Sequence, residues 1–190
     1  MSKLILTLIL TMAISTMAQT PAVLDSDGKP LRSGVKYYVL PAATDTAGGL
    51  TLINRTGSCY VGQEPLPTVA TTGLPVIFTP LASGESLIRE GMDLKVEFSG
   101  VKKCGKSGGW SIFEEDVKSS RRFIVSGGKT RDYFRVDKNG GLYNMGWCPN
   151  CGRTNCPRPR CGFVGILTEK YGIRLLALDG SAFPFRFKRV

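Results

Sequence analysis

Four of the six cysteines lie together in the segment CPNCGRTNCPRPRC, residues 148–161. Their spacing is C-x2-C-x4-C-x4-C, which is that of a zinc knuckle except that Cys156 stands where a knuckle has histidine. Four thiolates can hold a tetrahedral zinc ion, whereas two disulfides would close the segment on itself. The spacing allows both chemistries, so the compartment in which the chain folds has to decide between them.

The first eighteen residues have the layout of a secretory signal peptide. Lys3 precedes an apolar run from Leu4 to Ile14, and small residues follow up to Ala18. A membrane-spanning helix needs about 20 apolar residues, so this run is too short for an anchor. We expect a signal peptide over residues 1–18 and a single mature domain over 19–190. The product is expected to be secreted to the cell exterior, with the vacuole as another destination.

Secretion favours the disulfide interpretation, because an even set of cysteines in an oxidising compartment usually forms a disulfide framework. The chain also contains no histidine, which zinc knuckles commonly use as a ligand. We therefore expect disulfides, no metal and no other cofactor. Spacing alone does not select one connectivity among the six cysteines.

The lack of histidine also narrows the possible chemistry, because Ser-His-Asp and Cys-His nucleophile activation both need an imidazole. The neighbouring carboxylates of FEED, residues 113–116, are an ordinary composition for a hydrated turn, so we do not expect an enzyme. The net charge of +10 is dispersed, with small basic clusters at 120–122 and 186–190. This pattern favours a soluble basic surface over a nucleic-acid or membrane partner.

Periodicity along the mature chain is strongly β. Short runs of alternating or β-branched residues are separated by Gly, Pro, Asn and Asp, as turns require. About a dozen such strands in one chain indicate a single all-β barrel or sandwich with very little helix. The predicted strands are 35–42, 49–54, 74–81, 93–100, 109–115, 122–128, 132–138, 141–147, 162–169, 173–179 and 183–190.

Six stretches carry a resemblance to a known family. The longest is VLDSDGKPLRSGVKYYVL at 23–40, and GGLTL (48–52), GLPVIFTP (73–80), DLKVEF (93–98), GFVGI (162–166) and RLLAL (174–178) follow in order. Together they resemble the plant Kunitz-type protease inhibitors of the soybean trypsin inhibitor family, over the whole mature chain. The resemblance implies a β-trefoil of about twelve strands, stapled by disulfides.

The same resemblance implies a pairing for the cysteines. It pairs Cys59 with Cys104 and Cys148 with Cys161. The two inner cysteines, Cys151 and Cys156, are similar to those of the miraculin-like branch, which adds a small bridge inside this loop. The knuckle-like segment is then expected to hold two nested disulfides.

Family members mostly inhibit proteases with a rigid, substrate-like loop between the fourth and fifth strands, which here implies a loop near residues 81–89. The exposed peptide bond would lie near residues 83–85, none of which is basic, so strong trypsin inhibition is not expected. Ser33 stands where the family often has an asparagine that supports the loop. The candidate loop residues are Ala82, Ser83, Gly84, Glu85, Ser86 and Arg89, of which Arg89 is the basic alternative.

Two functions are therefore kept open. The first is a monomeric inhibitor whose partner is a target protease of the serine or cysteine type. The alternative is a non-inhibitory binding, storage or defence protein on the same scaffold. An ordered, projecting loop with extended backbone over 81–89 would favour the first function. Separately, the sequon NRT predicts glycosylation at Asn54.

Overall fold

A computed structural model describes residues 20–43, 47–55, 57–65, 72–101, 108–116, 121–127, 132–148, 161–178 and 181–190. Within these residues the chain is built from strands, with one turn of 3-10 helix at Lys170–Gly172. The strands are β1 Lys36–Pro41, β2 Leu50–Arg55, β3 Ser58–Gln63, β4 Val76–Pro80, β5 Leu94–Phe98, β6 Trp110–Asp116, β7 Arg121–Ser126, β8 Phe134–Asn139, β9 Leu142–Trp147, β10 Gly162–Phe163, β11 Gly165–Thr168, β12 Arg174–Ala177 and β13 Phe185–Arg189.

Six of these strands close a barrel. They are hydrogen-bonded in the order β9, β13, β1, β4, β5 and β8, and β8 pairs with β9 again. Closure removes the free edges that would otherwise invite pairing with another chain. All of the pairs in the ring are antiparallel.

The remaining hairpins form a cap. Strands β3, β7 and β12 pair with one another, and β2, β6 and β11 each pair with one of them. Six barrel strands and six cap strands arranged around a three-strand junction are a β-trefoil, so the all-β and trefoil predictions are confirmed. Strand β10 is a two-residue extension on β9. Among the described residues no helix is long and apolar enough to cross a membrane.

The barrel core follows from the alternation of the strands. In β1 the side chains of Tyr37 and Val39 are fully buried, and the residues opposite and near them in β13, Phe185 and Phe187, are buried as well. The ring of Phe187 meets that of Phe78 in β4 edge-on, with 5.5 Å between centroids. Edge-to-face aromatic pairs add to the free energy that burial alone supplies.

Strand β3 is missing from the sequence-based prediction. Its burial pattern shows why: all of its residues from Cys59 to Gln63 are buried, so the strand has no polar face and no alternation. The predicted strand 162–169 is divided into β10 and β11 at Val164. That side chain is fully buried, and its N–H donates to the carbonyl oxygen of Met145 at 2.8 Å.

Replacing the buried aromatic ring of β13 is predicted to destabilise the whole domain. Phe187→Ala removes a fully buried side chain in contact with Phe78 and Tyr143, so we expect a loss of about 3–5 kcal/mol in the free energy of unfolding. Denaturant unfolding measures it. The matched control is Phe163→Ala, whose ring is 44% exposed and should lose less than about 1 kcal/mol. Equal losses for the two variants would contradict the assigned core.

Candidate functional site

The connection between β4 and β5 is an exposed loop with one buried anchor. Residues 81–84 and Ser86 are exposed to solvent. Ile88, by contrast, is only 1% exposed and belongs to the barrel core. The loop therefore projects from the barrel while its second half remains fixed to it.

Main-chain hydrogen bonds hold the second half of the loop against the N-terminal segment of the chain. The N–H of Val23 donates to the carbonyl of Ile88 at 2.8 Å, and the N–H of Ile88 donates to the carbonyl of Leu31 at 2.9 Å. The N–H of Ser33 donates to the carbonyl of Ser86, also at 2.9 Å. This short ladder leaves the loop little conformational freedom to lose on binding.

Glu85 and Arg89 brace the loop from within. The Glu85 carboxylate accepts the Leu87 N–H at 2.9 Å with one oxygen and the Arg89 Nε–H at 2.9 Å with the other. Arg89 Nη1 also donates to the carbonyl of Thr20 at 2.9 Å. The bond from the Leu87 N–H, followed by that from Arg89, lowers the pKa of Glu85 below its ordinary value. The Glu85 carboxylate therefore links the tip of the loop to Leu87 and Arg89 and, through Arg89, to Thr20 in the N-terminal segment.

The tip of the loop is a reverse turn. The N–H of Glu85 donates to the carbonyl of Ala82 at 3.4 Å, and Gly84 has a φ of 79°. This left-handed conformation favours glycine, although a Cβ at this position would have open space around it. Extended backbone begins only after the turn, where Leu87 and Arg89 form β-bridges to Arg32 and Ala22. The loop is ordered and projecting, but it is not extended over the whole of 81–89.

The structure shows what Ser33 and Arg89 contact, which the sequence left open. Ser33 contacts the loop through its main-chain N–H, so this bond does not require an asparagine side chain. The Arg89 side chain is only 16% exposed and lies against Glu85 and Thr20. A guanidinium held in this way does not project toward a partner. The opposite charges at positions 85 and 89 were the sequence feature that could have predicted their pairing.

The described cysteines are all oxidised. Cys148 and Cys161 are joined in a disulfide, and Cys59 is disulfide-bonded as well. Since the first bond uses two of the four thiols in the knuckle-like segment, that segment cannot supply four zinc ligands. The predicted partners Cys104, Cys151 and Cys156 lie outside the described residues. The residue of the glycosylation sequon, Asn54, is exposed on β2 and lies opposite Cys59 of β3.

The fold and the braced loop define a class of proteins, the β-trefoils that carry a projecting loop between the fourth and fifth strands. Comparison with known proteins identifies the family within that class. Residues 23–189 match the legume Kunitz family, described as "Trypsin and protease inhibitor". The chain belongs to this family.

Individual relatives agree with the assignment. A Kunitz type trypsin inhibitor of Medicago truncatula is 38% identical over 95% of this chain and 92% of its own length. The crystal structure of a Kunitz type trypsin inhibitor from Cicer arietinum is similar with a TM-score of 0.74 and 29% identity, over 89% of this chain and 98% of that one. The rice bifunctional alpha-amylase/subtilisin inhibitor has a TM-score of 0.72 and 28% identity, over 90% of this chain and all of its own.

Acidification is predicted to loosen the loop through Glu85. Because the pKa of Glu85 is lower in the folded protein than in the unfolded chain, the stabilising effect of its bonds is fully present above the unfolded value and is lost as the pH falls through the lowered pKa. We expect the exchange protection of the Leu87 amide, taken relative to the amide of Val39, to fall over this range. In Glu85→Ala, which has no side-chain acceptor, the same protection should already be low at neutral pH and should not titrate.

Amide exchange followed by NMR tests this expectation. The control is Glu90→Ala, which removes a neighbouring carboxylate that has no hydrogen bond to the loop amides among the described residues, and it should keep the profile of the parent protein. A Leu87 amide that is equally protected in the parent and in Glu85→Ala at neutral pH would show that Glu85 does not brace the loop.

Proposed function

We propose that this protein is a protease inhibitor that presents the loop at residues 81–89 to the active-site cleft of its target. The observation that carries the proposal is that the loop is exposed at its tip and yet bonded through the main chain of Ser86 and Ile88. A loop that is ordered before binding loses little entropy on association, so more of the contact free energy appears as affinity.

The side chains at the tip indicate which targets fit. Ser83, Gly84 and Glu85 are small or acidic, and the nearby cation Arg89 is already bound to Glu85 and Thr20. A trypsin-like primary pocket needs a projecting cation, so we infer that trypsin is not the preferred target. A serine or cysteine protease with a small or neutral primary pocket fits this tip better. Among the similar proteins, the rice protein is described as a subtilisin inhibitor, whereas those of Medicago truncatula and Cicer arietinum are described as trypsin inhibitors, so the inference rests on the residues of this tip and not on those descriptions.

We also propose that the protein is secreted. Removal of residues 1–18 would leave one mature domain, 19–190, which we propose acts as a monomer outside the cell or in the vacuole. An oxidised state of the described cysteines is compatible with such a compartment.

One observation favours the alternative, a binding protein without a protease target. Proteases bind the residues around the scissile bond in extended conformation, whereas Ser83 and Gly84 form a turn. With that turn retained, the tip would contact a partner through the convex surface of the turn and not as an extended substrate-like segment. Inhibition assays distinguish the two functions.

The purified, oxidised mature protein should inhibit at least one of subtilisin, chymotrypsin and papain with a Kd near the nanomolar range, about −12 kcal/mol. Trypsin should be inhibited at least about 100-fold more weakly than the best target, because no free cation stands at the tip. Titration of each protease with the protein measures this order. The absence of inhibition of all four would favour the binding function, and tight inhibition of trypsin would contradict the assignment of the tip.

The role of Arg89 can be separated from that of a primary contact residue. Because Arg89 braces the loop, Arg89→Ala and Glu85→Gln should each weaken inhibition of the best target by about tenfold, roughly 1.4 kcal/mol, and the double variant by little more. Arg89→Lys should also weaken it, since an ammonium cannot reproduce the directed bonds of the guanidinium. If Arg89 instead entered a trypsin pocket, Arg89→Lys would retain trypsin inhibition and Glu85→Gln would have no effect on it.

A further inference from the structure

The basic cluster at the C-terminal end of the chain becomes part of a continuous surface in the barrel. Strand β13 contributes Arg186, Lys188 and Arg189, and its partner β1 contributes Lys36. We call these four residues the basic stripe. None of them belongs to the loop at 81–89.

The register places most of the stripe on the outer wall of the barrel. Tyr37, Val39, Phe185 and Phe187 point into the core, so the alternating residues of the same strands point outward. Across the ladder Tyr38 faces Lys188, and the Val190 N–H donates to the carbonyl of Lys36. Successive outward residues on one strand are about 7 Å apart, so Arg186, Lys188 and Lys36 form a row along the ladder, while Arg189 alternates with Lys188 and lies exposed at the end of the strand.

Among the described residues, the strands around the stripe carry no compensating acid. The five neighbouring strands β10, β9, β13, β1 and β4 contain no Asp or Glu, and all of their Lys and Arg residues belong to the stripe. The first carboxylates across the closed sheet are Glu97 on β5, one strand beyond β4, and Asp137 on β8, one strand beyond β9, where it is already paired with Arg135. One exposed carboxylate, Asp27, lies near β13, because its neighbour Ser26 donates a hydrogen bond to the Phe187 carbonyl. The exposed Lys29, two residues after Asp27, adds a positive charge in the same segment.

The fold does not use these charges. Among the described residues, no ion pair includes a member of the stripe, and its one side-chain hydrogen bond runs from Arg186 Nε to the carbonyl of Pro41 at 3.3 Å. Lys36, Lys188 and Arg189 are exposed to solvent. Within the part of the chain that the structure describes, these four cations on adjacent strands have no acidic partner, so they create a positive potential at the surface.

We propose that the basic stripe binds a linear acidic polysaccharide. A row of cations matches a polymer that repeats a carboxylate or a sulfate along its length, and the half-buried Tyr38 beside Lys188 offers a ring on which a sugar can stack. An anionic membrane fits less well, because only Leu40 and Val190 add outward aliphatic surface to these strands, far less than an interfacial helix inserts. The site is separate from protease inhibition and does not depend on it.

Retention on immobilised polygalacturonate and on immobilised dextran sulfate, as carboxylate and sulfate probes, tests the proposal. The stripe variant is Lys36→Gln/Lys188→Gln, and the control is Lys138→Gln/Lys170→Gln, which removes two other exposed lysines and the same net charge. We expect the stripe variant to lose about tenfold or more in affinity at low salt, with a shallower dependence on salt, while the control stays within about twofold of the parent. Equal losses in both variants would overturn the proposal, because net charge alone would then explain the binding.

Two further measurements separate the polysaccharide from other polyanions. Tyr38→Ala keeps the charge but removes the stacking ring, and it should weaken binding to at least one of the two polysaccharides by about tenfold. Its unfolding free energy is measured beside it, so that a folding defect is recognised, and Tyr38→Phe should restore binding. Duplex DNA and phosphatidylserine vesicles serve as the other anionic surfaces. If either one binds more tightly than both polysaccharides and loses that binding in Lys36→Gln/Lys188→Gln, the stripe is not a polysaccharide site.

Discussion

The pairing of the first barrel strand with the last is the interaction on which the rest of the structure depends. Strand β1 bonds to β13 on one side and to β4 on the other, so it joins both ends of the described chain to the loop-bearing hairpin. Of its inward residues, Val39 lies opposite Phe187 and the Tyr37 ring pairs with that of Phe78 in the core. Because the segment before β1 bonds to the loop, closure of the barrel also fixes the position of the candidate site.

The loop is held by two kinds of interaction that respond differently to conditions. The main-chain bonds to Val23, Leu31 and Ser33 do not depend on pH or salt in any direct way. The Glu85 carboxylate adds charge-assisted bonds to Leu87 and Arg89, and these weaken when the carboxyl is protonated. The loop therefore has a permanent base and a tip whose order depends on one ionised group. Such a division restricts any loosening to the part that would contact a protease.

The sequence predicted those features that arise from local alternation and failed where tertiary context decides. In strands such as β1 and β13 apolar and polar residues alternate, because one face packs in the barrel and the other faces solvent. Strand β3 is buried on both faces, so alternation could not reveal it. The connection between β4 and β5 could be located in the sequence because both flanking strands alternate. The bracing of this connection could not be located, since the contact between Arg89 and Thr20 joins residues far apart in the sequence.

The inner and outer faces of the β1–β13 strand pair have different roles. Inside, Phe185 and Phe187 supply apolar surface whose loss would unfold the domain. Outside, Arg186 and Lys188 alternate with them on the same strand and contribute no ion pair to the described fold. Substitutions on the outer face are thus free of the constraint that governs the inner one. A scaffold of this kind can acquire a charged surface on its wall while the core and the candidate loop remain unchanged, because neither depends on the outward side chains.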